Sequence, residues 1–173
     1  MEPSGSGYLY TLAAVSITFV GFSTLLLIFR QARGDVMTKY ESYFMLSFIH
    51  PGFIVTGGSL LPAALGLYGL PTVAVWRVCS VIAAVPILLF VTTLPSRRHA
   101  ATSSPMPRYV QVLSLVQLLI ALSLVANAIG VPAAPGVAPY AAAMTGLLFT
   151  TAAAFVIAIG IAFAEPPRTP ERR

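Results

Sequence analysis

Apolar positions in this chain come as long runs, not as stripes. Tyr8–Phe29, Ser42–Leu61, Thr72–Leu94, Tyr109–Gly130 and Pro139–Ala164 are nearly free of charge, and short polar, basic or proline-rich connections separate them. Each run can cross a hydrocarbon core of about 30 Å at 1.5 Å per residue, some with tilt. Strings such as "SLVQLLIALSLVANAIG" lack the alternation of barrel strands. The pattern predicts an all-α integral membrane protein: a compact bundle of five transmembrane helices, with residues 1–173 forming one unit.

Composition strengthens this expectation. The chain is 57% hydrophobic and 9% charged, whereas a soluble domain carries about a quarter charged residues. Apart from Arg77, every Asp, Glu, Lys and Arg lies between runs or at a terminus. Lipid is the expected solvent and the expected first partner.

Charge then orients the bundle. Arg30, Arg33 and Lys39 follow run one, Arg97, Arg98 and Arg108 separate runs three and four, and Arg168, Arg172 and Arg173 follow run five. The N-terminus and the 62–71 and 131–138 connections carry no Lys or Arg. By the positive-inside bias, the N-terminus is expected outside and the C-terminus in the cytoplasm. The net charge of +5 is thereby accounted for, and no nucleic-acid partner is expected. Nine arginines against one lysine, with abundant Ala, Gly and Pro, fit a GC-rich bacterial genome and a multi-pass protein of the inner (plasma) membrane. Run one has no basic segment before it and is too long for a cleavable signal peptide.

The connections and small residues add detail. "LPSRRHAATSSPMPR", with prolines at 95, 105 and 107, reads as a loop. Thr11, Ala14, Thr18 and Gly21 in run one share a face, and so do Ala142, Gly146, Thr150, Ala154, Ala158 and Ala162 in run five. Small residues let helices approach closely in lipid, so both stripes are expected at helix contacts, within the chain or in a homo-oligomer or partner membrane protein.

Four side chains inside the runs are candidates for ligand or ion contact. His50 lies roughly 13 Å past Glu41, beside Pro51, which removes a helical donor from the Ser47 carbonyl. Gln117 lies at a similar depth in run four, on a face with Ser114 and Ala121, and a His50–Gln117 hydrogen bond is sterically reasonable. Arg77, next to Trp76, reads either as a side chain snorkelling to the headgroups beside an interfacial tryptophan or as an anion site with Asn127. His50 likewise reads as a structural donor or as a titrating group.

Other chemistries are excluded by residue type. No run contains a carboxylate or a lysine, so acid pairs and a retinal Schiff base have no place. Two histidines and the lone Cys79 fall short of a zinc site and of an intramolecular disulfide. No metal, cofactor or catalytic activity is expected. Three classes remain: first, a channel- or transporter-like protein with a polar pathway through His50/Gln117 and Arg77/Asn127; second, a non-catalytic accessory or scaffold subunit binding a partner membrane protein; and, well below both, an intramembrane enzyme.

Overall fold

The structure, a computed structural model, describes residues 5–32, 39–101, 106–132 and 134–164. The basic residues Arg33, Arg168, Arg172 and Arg173 and the carboxylates Asp35 and Glu165 lie outside the described residues. The described residues form five helices: α1 Ser6–Ala32, α2 Lys39–Gly66, α3 Thr72–Ala101, α4 Arg108–Ile129 and α5 Val137–Ala164. All five are long and apolar enough to cross a membrane.

Helices α2, α3, α4 and α5 close a ring in which each packs on the next and α5 returns to α2. Helix α1 lies outside that ring, against α2 and lightly against α5. One end of the bundle carries Arg97, Arg98 and Arg108 and is called the basic end. The other holds Ser80, Asn127 and the turn at Gly136, which are hydrogen-bonded together, and is called the clasp end.

Glycines in α2 set how closely its neighbours approach. A Cβ at Gly52 would collide with Val20 of α1, and beside it Ser16 Oγ donates to the Gly52 carbonyl at 2.8 Å. A Cβ at Gly58 would come within 2.9 Å of Met144 Sδ on α5. These approaches hold α2 at the centre of the molecule. Gly146 serves α5 similarly, since a Cβ there would lie 3.3 Å from Ile120 Cδ1 of α4.

Two expectations change, and a third is narrowed to contacts outside the chain. Helix α3 runs through Pro95 to Ala101, where the prolines suggested a loop. Pro95 costs only the bond to the Val91 carbonyl, and Leu94 and Arg98, one turn apart, are both buried against the bundle. The small-residue face of α1 points outward: Thr11, Ala14, Thr18 and Gly21 are all exposed. The larger Leu9, Leu12 and Val20 fill the contact with the ring instead. Trp76 is also turned inward, 2% exposed, with its ring 5.6 Å from that of Tyr140. It fills the core between helices rather than anchoring an interface.

Candidate functional site

Asn127 is the hub of the clasp end. Its Nδ2 donates to Ser80 Oγ at 2.8 Å and to the Gly136 carbonyl at 3.3 Å, while its Oδ1 accepts the Gly136 N–H at 3.1 Å. A single amide therefore joins α3, α4 and the turn before α5. With these bonds made, its polar capacity is largely spent inside the protein. Arg77, one turn before Ser80, is exposed and makes no contact with Asn127 among the described residues. Adjacent faces of α3 explain the separation: Ser80 and Ala84 point into the core, and Arg77 points away from it.

A second polar contact at this end was not anticipated. Tyr140 Oη donates to the Gly58 carbonyl at 2.6 Å. Gly58 is four residues before Pro62, which lies inside α2 and has no N–H to give that carbonyl. A phenol from α5 replaces the missing backbone donor. The signal was present in the sequence as Gly58 and Pro62 at the helical hydrogen-bond spacing. The apolar run Ser42–Leu61 stops one residue short of Pro62, whereas α2 continues through it to Gly66.

Between the two ends the ring is filled. Gln117, Ala121, Leu124 and Asn127 form the buried face of α4, so two apolar residues separate the two amides. Ala121 and Leu124 pack with Ile87, Met144 and Leu147 in one continuous core.

The basic half is looser. A partly open cavity of about 50 Å³ lies among α2, α3, α4 and α5, lined by Tyr43, Ser47, Phe90, Tyr109, Ser114 and Gln117 together with aliphatic side chains. Gln117 is 6% exposed, and its amide has no hydrogen-bond partner among the described residues. The hydroxyls of Ser47 and Ser114 donate to the Tyr43 and Val110 carbonyls of their own helices, each at 2.8 Å. Beyond the cavity, Phe155 of α5 receives Phe19 and Phe48 edge-on, with centroids 5.0 and 5.2 Å away.

His50 does not face this cavity. Its Nδ1 lies 2.9 Å from the Leu46 carbonyl, which can only accept, so Nδ1 carries the proton. The ring leaves α2 toward the outer groove with α3, 6.5 Å from Phe90, and the residue is exposed. Matching depth along two helices put His50 and Gln117 level, but the rotation of α2 fixed by its Gly52 contact with α1 sends them different ways. Of the four sequence candidates, no two are joined by a hydrogen bond.

The described residues hold no cluster of three or more His, Cys, Asp or Glu side chains. No protein-family model, curated protein or solved structure matches the chain.

Proposed function

We propose that the chain is a non-catalytic membrane subunit that docks laterally on a transmembrane helix of a partner protein through the His50 face of α2. The carrying observation is an imidazole on the outer surface of a membrane-crossing helix. His50 lies about 16 Å along α2 from Lys39, at about 1.5 Å per residue. Polar and ionisable side chains at such depth almost always face other protein or water. Its Nδ1 is used within α2, and Nε2 has no partner among the described residues. In the neutral ring Nε2 is an acceptor, so the partner supplies an N–H or O–H donor. The outward small-residue face of α1 offers a second surface for close helix approach. The filled core between Gln117 and Asn127 also suits a subunit without its own conduit.

The test is a photo-crosslinking amino acid at Phe53, exposed one turn from His50, in native membranes. A discrete adduct that disappears in His50→Leu is expected. Lipid adducts alone at Phe53 would remove the reading.

Transport is the second reading, favoured by the polar cavity at the basic end. Solute flux from proteoliposomes containing only this protein would establish it over the first. The same proposal assigns a bacterial inner membrane, with the N-terminus outside and the basic end in the cytoplasm. Cysteine at Ala134 should label from outside, and cysteine at Ser103 only after permeabilisation. The reverse result would invert the topology.

A further inference from the structure

The cavity at the basic end holds an amide whose hydrogen-bonding needs are met by none of the described residues. Leaving such a group unpaired costs about 1–3 kcal/mol. Unlike Ser59 Oγ, which is sealed without a partner, Gln117 borders open space. That space, about 50 Å³, is several times the roughly 10–15 Å³ that one water requires.

The lining defines what the space accepts. Gln117 offers two donors and a carbonyl acceptor. Ser47 and Ser114 have committed their protons to backbone carbonyls, which leaves their oxygens as acceptors. Pro51, four residues after Ser47, also provides no N–H to the Ser47 carbonyl. No charged side chain is among the described lining residues, and apart from the Tyr43 and Tyr109 phenols the remaining wall is apolar. An ion would lose its hydration there without a counter-charge. We infer that Gln117 is the recognising group of a binding site for a small uncharged molecule that both donates and accepts hydrogen bonds, of the size of a simple amide or short polyol. This site is inside the ring, away from the His50 face, and stands independently of the docking reading.

Acetamide is the probe, and acetate its charged counterpart of equal shape. Leu113→Cys places a thiol in the cavity wall without touching the polar set, and methyl methanethiosulfonate, small and uncharged, labels it in the purified protein. Cys79 is fully buried, so its labelling reports unfolding. Acetamide should slow labelling of Cys at 113 saturably, about twofold when its concentration equals the dissociation constant. Acetate should not, and Gln117→Met should abolish the protection. No labelling at 113, no protection, equal protection by acetate, or equal protection in Gln117→Met would each overturn the site. Should Gln117→Met unfold, Gln117→Asn keeps the amide but withdraws it by one methylene. Its half-protecting acetamide concentration should then rise, and an unchanged value overturns the proposal.

Discussion

Helix α2 contains two prolines, and its two halves treat them differently. At the clasp end, the carbonyl freed by Pro62 is taken by Tyr140 Oη from α5, in a region packed with Trp76 and Met144. At the basic end, Pro51 leaves the Ser47 carbonyl without its helical donor, and no side chain of a neighbouring helix replaces it among the described residues. There the ring opens into a cavity beside an unpaired Gln117. The same backbone lesion is repaired where the bundle is solid and left open where it is hollow. A proline in a membrane helix therefore does not by itself mark a functional kink. What matters is whether a neighbour supplies the donor.

Stability measurements can break or sharpen this contrast. Trp76→Ala should have the largest effect, about 3 kcal/mol in reversible unfolding in mixed micelles, because it empties the centre of the solid half. Tyr140→Phe comes next. It keeps the ring but strands the Gly58 carbonyl in a dry site, at about 1–2 kcal/mol. Asn127→Ala should cost about 1 kcal/mol, since the Gly136 turn lies near the end of the bundle and water can take over part of its bonding. Gln117→Met should change stability by at most about 0.5 kcal/mol, or raise it, because an unpaired amide is exchanged for an apolar chain of similar length. If Gln117→Met costs as much as Tyr140→Phe, the two halves are not distinct and Gln117 is a structural donor.

The sequence made the helices legible for a physical reason: lipid expels charge, so the runs announce themselves. It also placed Gln117 and Ala121 on one face of α4, and that face is buried. Partnership was much harder to read. Depth follows from counting residues at a fixed rise, but the rotation of a helix about its axis depends on contacts with other helices. His50 shows the consequence, level with Gln117 and facing elsewhere. Asn127 shows it again: its partners are Ser80 and Gly136, while Arg77, on a neighbouring face of α3, stays outside. The small-residue spacing of α1 predicts a packing surface, yet nothing in it says which side of α1 the ring occupies, and the stripe faces outward.

The Tyr140–Gly58 hydrogen bond joins residues 82 positions apart, and this gives the molecule a schedule. At about 5–20 residues per second, ribosomal synthesis delivers Tyr140 roughly 4–16 s after Gly58. During that interval α2 is in the membrane with an open carbonyl and a glycine notch, and its last partner has not been made. The solid half is consequently completed by α5, and a chain that stalls before it keeps a polar wound at the centre of its clasp end.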